Sequence, residues 1–296
     1  MRGTLHFASS QDLHWILKLL APSLTKLATS RDRRFGLTDE TIRKAENLFT
    51  EALEGNRQLT RGEMYKVLQK GGLFTAGLLG LLMINRAAWN GLICFGRHRG
   101  KQPTFVLLDE WIPKAKRLAE GQAFAELTYL YFASRGPATI QDYMWWSGLA
   151  ASDASAGIEG ASARLVSEEI DGKTYYMARN TQKPKENDAT VRLLPDFDEY
   201  LVGYRDRFAM LGNADTQRIL RSGKIYGTSS NALFLPVIVP DGKVVGIWKR
   251  RNEKEKVILT LQPFMKLEKE QKNMIKEEAE RYGTFLEAPI EINLQA

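Results

Sequence analysis

The order of helical and strand-like segments constrains this chain more than any single residue does. Gln11–Leu20 carries apolar residues at helical spacing and ends at Pro22. Thr38-Asp39-Glu40-Thr41 is a cap signal, because a Thr hydroxyl accepts an orphan backbone N–H and early acids suit the helix dipole. Behind it Ile42, Ala45, Leu48, Phe49, Ala52 and Leu53 form an apolar stripe that runs to about Glu54. Thr60-Arg61-Gly62-Glu63 has capping-box spacing and opens a helix over Glu63–Lys70, which Gly71-Gly72 stops. A further helix over Thr75–Trp89 leads into two strand-like runs, Leu92–Phe95 and Thr104–Leu108. The basic loop Gly96-Arg97-His98-Arg99-Gly100-Lys101 joins them.

Three helices followed by a two-stranded hairpin is the order of a winged-helix unit, and the order repeats. Helices over Gly121–Ser134, Thr139–Ser147 and Ala151–Ala161 precede a hairpin of Ala163–Glu169 and Lys173–Ala178 around Asp171-Gly172. The polar stretch Asn180–Asp188 then reads as a linker. From Ala189 the texture is strand-rich: Val191–Leu194, then Leu233–Val239 joined through Pro240-Asp241-Gly242 to Lys243–Trp248, then Val257–Leu261. A charged helix over Leu267–Tyr282 follows. The expected fold class is α+β: tandem winged-helix domains, over 1–118 and 119–180, followed by a mixed, strand-rich domain over 189–296.

Composition excludes several classes of function. At roughly 100–200 residues per domain, 296 residues make two or three modules, and 44% hydrophobic content excludes wholesale disorder. A lone Cys94 forms no internal disulfide and no multi-thiolate zinc site; with His6, His14 and His98 as the only imidazoles, no metal or cofactor is expected. The start MRGTLHFASSQDLHW lacks the apolar core of a signal peptide. Gly71–Ile84 is too short for a membrane span of about 20 residues. A cytoplasmic protein without membrane contact is expected. Its net charge of +7 permits a polyanionic partner.

Nucleophilic chemistry finds little support. His98 sits in a basic loop that drives an imidazole toward its charged form, and Cys94 lies between Ile93 and Phe95 in a strand, as a buried apolar thiol does. No G-x-S-x-G elbow, P-loop or strand-linked G-x-G-x-x-G occurs. Paired carboxylates remain at Asp109-Glu110, Glu168-Glu169 and Asp196/Asp198/Glu199. The last group stands in LLPDFDEYLVGYRDR (Leu193–Arg207), where aromatic, acidic and basic residues mix densely. There a carboxylate either orients an arginine toward a phosphate or locks a domain corner.

Cations cluster in three places: Arg31, Arg33 and Arg34; Arg97, Arg99 and Lys101 on the first wing; and Lys249, Arg250, Arg251, Lys254 and Lys256 at the turn after Trp248. Loop-tip cations suit phosphate contacts, which give affinity without sequence information. Trp145-Trp146 offers rings for stacking on bases, although their place within a helix assigns at least one to the core.

Five strings, in order, carry a resemblance: RGTLHF (Arg2–Phe7), LICFGRHRGKQPTFVLLDEW (Leu92–Trp111), YFASRGPATIQDYMWWSGL (Tyr131–Leu149), LLPDFDEYLVGYRDR and LFLPVIVPDGKVVGIWKRR (Leu233–Arg251). Together they make the chain similar to bacterial winged-helix DNA-binding proteins related to the azinomycin-resistance, interstrand-crosslink-unhooking DNA glycosylases. The resemblance implies winged helices and a barrel-like domain arranged around DNA, and excision of alkylated purines by water without a metal. It also implies a further N-terminal winged helix carrying a Gln-x-Gln motif that positions the water. No Gln-x-Gln occurs here, and Thr139-Ile140-Gln141 stands in another context.

The expectation is a monomeric, nucleoid-associated protein that binds double-stranded or damaged DNA in repair, with catalysis left open and binding without cutting favoured because that motif is absent. Its DNA contacts are expected at Arg97, Arg99, Lys101, Arg205, Arg207, Lys249, Arg250 and Arg251. The first alternative is an active alkylpurine glycosylase in which Asp198 or Glu199 positions the water, with Asp198 as the candidate catalytic residue. The second is a transcription regulator, for which the Thr75–Trp89 helix offers only Asn85 and Arg86 as base-reading side chains.

Overall fold

The computed structural model describes Met1 and residues 3–112, 118–182, 190–212 and 235–295. Arg2, most of the expected linker (183–188), Ala189 and the first two residues of the Leu233–Val239 strand lie outside the described residues. The chain divides into two compact units, one of Met1–Ile140 and Ser147–Arg179, the other of Gln141–Trp146 and Asn180–Ala296.

In the first unit, helix α1 spans Leu13–Arg34 and runs straight through Pro22, where the sequence predicts a stop. Its buried face, Trp15, Leu19, Leu20, Leu24 and Ala28, continues at helical spacing on both sides of the proline. Packing of that stripe outweighs the loss of one backbone donor. Helix α2 (Asp39–Leu53) starts where the cap signal lies, with Thr38 Oγ1 accepting from Thr41 N at 3.1 Å. Strand β1 (Leu59–Thr60) leads directly into helix α3 (Arg61–Lys70). Helix α4 (Leu79–Trp89) begins later than expected, and the Thr75 hydroxyl instead accepts from Gln69 Nε2 at 2.7 Å. Strands β2 (Ile93–Phe95) and β3 (Thr104–Leu107) pair antiparallel, and β1 pairs with β3, giving the order β1-β3-β2. Phe49, Leu53, Met64, Leu68, Met83, Ala87 and Ile93 form the core beneath this sheet.

The Thr60 capping box is complete: Thr60 Oγ1 accepts from Glu63 N, and Thr60 N donates to Glu63 Oε2 at 2.7 Å. Those bonds to Thr60, with help from Arg99, hold the Glu63 carboxyl below its ordinary value of 4.5. A depressed folded pKa gives stability that is present above the unfolded value and lost as pH falls through the folded one. Glu63→Gln therefore flattens the wild-type loss of stability at acid pH; urea melts of both proteins between about pH 3 and 6 check it.

The same unit continues with α5 (Leu108–Trp111), α6 (Glu120–Arg135), α7 (Ile140–Ser147), α8 (Ala151–Ala161), β4 (Leu165–Ile170) and β5 (Lys173–Ala178). Gln141–Trp146 of α7 group with the second unit. Helices α6 and α8 approach closely at Gly157, where an added Cβ would lie 2.2 Å from Thr128 Oγ1. The β4–β5 hairpin turns at Asp171-Gly172, both in the left-handed region (φ 51° and 70°), and Ala138 bridges antiparallel to Tyr176.

The second unit holds a five-stranded sheet of β6 (Val191–Leu194), β7 (Val237–Pro240), β8 (Gly246–Asn252), β9 (Val257–Pro263) and β10 (Ile290–Leu294). Its order is β10-β9-β8-β7-β6, antiparallel throughout except for the parallel β9–β10 pair. This corrects the barrel-like expectation: among the described residues the sheet is open, with β6 and β10 at its two edges. Closure is unnecessary because both faces are covered. Helix α11 (Lys269–Leu286) packs on one face with Trp248, Leu259, Leu261, Ile275 and Ala279. Leu201, Met210 and Leu211 pack with Val237, Val239 and Ile247 on the other.

Candidate nucleic-acid interface

The wing between β2 and β3 presents Arg97, Arg99 and Lys101, all exposed. Arg99 is tied into the fold: Nη1 donates to Glu63 Oε1 at 2.9 Å and Nη2 to Gln58 O at 2.7 Å. It fixes the wing tip to the cap of α3. The wing is further held by Thr104 Oγ1, which donates to Arg97 O at 2.6 Å. Arg97 and Lys101 extend from that tied base.

The densest cluster lies in the second unit, where residues 196–211 fold around Gln141–Trp146. Short helices α9 (Glu199–Val202) and α10 (Phe208–Leu211) are joined by Gly203–Arg207. Asp142, only 3% exposed, accepts from two successive backbone donors, Arg205 N at 2.9 Å and Asp206 N at 3.0 Å. Trp145 Nε1 donates to Val202 O at 3.0 Å, and the Arg207 guanidinium lies 5.5 Å from the Trp145 ring centroid. Trp146 is the core member of the tryptophan pair; its Nε1 donates to Glu199 Oε2 at 2.8 Å.

Arg207 Nε donates to Leu201 O at 2.6 Å, while Arg205 is held by its backbone and exposed through its side chain. Asp198, the candidate catalytic acid, is the N-cap of α9, with Oδ1 accepting from Tyr200 N at 2.8 Å. The Tyr200 hydroxyl donates to Gly242 O at 2.7 Å, and burial raises its pKa. Just before Asp198, Phe197 stands in a turn with φ 58°, a left-handed backbone costing a residue with a Cβ about 1–2 kcal/mol.

Of the cations expected at the turn after Trp248, Lys249, Arg250 and Arg251 are in strand β8 itself, and Lys254 and Lys256 lie in the four-residue turn Glu253–Lys256. Strand alternation therefore separates the three in β8. Trp248 belongs to the α11 face, and Arg250 donates through Nη1 to the Tyr282 hydroxyl of α11. Ile247 belongs to the α9–α10 face, so Lys249 and Arg251 share that face. Arg251 meets Glu253 at 2.9 Å on the surface, and Lys256 is taken by Glu291 of β10.

Three groups weighed from sequence have other roles. Burial pushes the Cys94 thiol up to about 11, the opposite of an activated nucleophile. With so little thiolate at neutral pH, Cys94 reacts with an aromatic disulfide reagent roughly tenfold or more slowly than a free cysteine, and urea restores the rate. Arg86 is buried, 3.6 Å from the buried Asp32. His14 lies 3.5 Å from Asp109, tying α1 to α5.

Sequence reasoning missed Asp142. An Asp in the first turn of a helix reads as a dipole partner, and nothing local marks acceptance from a segment more than sixty residues away. No helix among the described residues is long and apolar enough to cross a membrane.

The family model for DNA glycosylase AlkZ-like proteins matches residues 1–285. The chain belongs to that family. It is 25% identical over 297 aligned positions to the interstrand DNA cross-link repair glycosylase of Streptomyces sahachiroi, covering 94% of this chain and 76% of that protein. The solved structure of Streptomyces sahachiroi DNA glycosylase AlkZ superposes with a TM-score of 0.75 at 22% identity, covering 99% of this chain and 80% of that one.

Proposed function

We propose that this protein binds double-stranded DNA in repair, through phosphate contacts of β8 and the Arg205–Arg207 segment in the second unit and of the wing in the first. The observation that carries the reading is the pair of exposed cations Lys249 and Arg251 on one face of strand β8. Phosphate contacts from such a strand supply affinity and register without reading bases. Family membership supports DNA as the partner.

The helix–strand–helix–helix–hairpin order of α2, β1, α3, α4, β2 and β3 supports a first winged helix within 1–118. A second within 119–180 is supported by α6, α7, α8 and the β4–β5 hairpin, with the Ala138–Tyr176 bridge in place of the short first strand. Residues 189–296 form the sheet-bearing domain. The protein acts as a monomer in the cytoplasm, on the nucleoid, and without a cofactor.

A second reading, excision of alkylated purines, is favoured by the family itself. Asp198 and Glu199 are engaged in capping and in holding Trp146, so neither stands poised to activate water in this geometry. The regulator reading loses one of its two base-reading side chains, because Arg86 is buried against Asp32.

Incubation with a duplex carrying N7-alkylguanine separates the readings. Retarded duplex with no abasic sites is expected, and release of the base establishes the excision reading. Failure to shift any duplex in low salt overturns DNA binding.

A further inference from the structure

Phe197 combines two properties: the residue is 64% exposed, and its backbone is left-handed at φ 58°. Glycine or asparagine serves such a turn with less strain, and an exposed phenyl ring gains little from burial. Strained residues of this kind concentrate where a ligand is met.

Its surroundings are those of a base-stacking site. The same folded segment carries Phe208, 65% exposed, and holds Trp145, 43% exposed, through Val202 and Arg207. The segment's acids are turned to internal donors: Asp142 to Arg205 N and Asp206 N, Asp198 to Tyr200 N, Asp206 to Phe208 N, and Glu199 to the Trp146 indole. Asp196 is the exposed acid beside the turn. Arg205 is exposed outward, and Lys249 and Arg251 rise from the sheet face on which the segment packs. A segment that carries exposed aromatic rings together with cations, Arg207 lying over the Trp145 ring, suits a nucleobase between its phosphates.

We propose that Phe197, which shares its folded segment with Phe208, is a stacking wedge that engages DNA at an opened or mismatched base step. This deepens the DNA reading above and rests on it. A wedge inserted at a step must first unstack it, so the ring favours duplex in which stacking is already weakened.

The test compares an intact duplex with one carrying 2-aminopurine at a single mismatch, by anisotropy and by 2-aminopurine fluorescence. Wild type is expected to prefer the mismatched duplex by roughly tenfold, with a change in fluorescence on binding. Phe197→Gly, which relieves the backbone, is expected to lose most of that preference without a lower Tm, and Phe197→Trp to retain it. Three results overturn the wedge while leaving DNA binding intact: a wild type with no preference, an unchanged preference in Phe197→Gly, or a lowered Tm with parallel losses on both duplexes. A wild type that binds neither duplex overturns the DNA reading itself.

Discussion

Lys249→Ala combined with Arg251→Ala weakens binding to plain duplex by about 60-fold near 0.1 M salt. Each phosphate contact contributes about 0.9 to the slope of log affinity against log salt, so losing two lowers the slope by about 1.8. Arg250→Ala, although it lies between them, has a much smaller effect, because its guanidinium is on the α11 face and bonded to Tyr282. The Arg251–Glu253 contact is a surface ion pair, worth little, and gives way to a phosphate at small cost. Anisotropy titrations across a salt series measure both quantities. If Arg250→Ala has the larger effect, the DNA lies across α11 and not along the α9–α10 face.

Asp142→Ala destabilises the second unit by about 2–3 kcal/mol, because two backbone donors lose a charged acceptor in a site closed to bulk water. Asp142→Asn recovers about half of this, since its amide oxygen still accepts while the charge is gone. Urea denaturation followed by tryptophan fluorescence reports it directly, as Trp145 and Trp146 stand on the same segment. A loss below about 0.5 kcal/mol would mean that water replaces the carboxylate. Because the Asp142 bonds fix the backbone of Arg205 and Asp206, the alanine variant also weakens duplex binding beyond its stability loss.

Much of this architecture is written locally and is readable for that reason. The Thr38 cap, the Thr60–Glu63 box and the Asp171-Gly172 turn each satisfy their own neighbours within a few residues, so short-range rules find them. What was misread depends on distant partners. Pro22 halts a helix in isolation but not one whose apolar stripe is docked along its length. The barrel-like expectation comes with the resemblance alone, since strand count says nothing about closure, and Ile290–Leu294 gives little signal of β10 because it is a short alternating run after a helix.

The candidate site was legible in its residues and not in their directions. The sequence marks Arg205, Arg207 and Lys249–Arg251 as cations near aromatic rings. Only the pleat reveals that Arg250 faces away from its neighbours, and only the folded segment turns Asp198 and Asp206 of LLPDFDEYLVGYRDR toward backbone donors and Glu199 toward the Trp146 indole.

The parallel pairing of β10 with β9 also sets an order of events. Antiparallel neighbours such as β8 and β9 zip from their connecting turn once both exist, but a parallel partner must wait for the intervening helix to be made and docked. During that interval the Val257–Leu261 edge offers an unpaired row of backbone groups to any other chain nearby. Refolding therefore has a late, concentration-sensitive phase at this edge, and during synthesis the same row stays open until β10 has emerged from the ribosome.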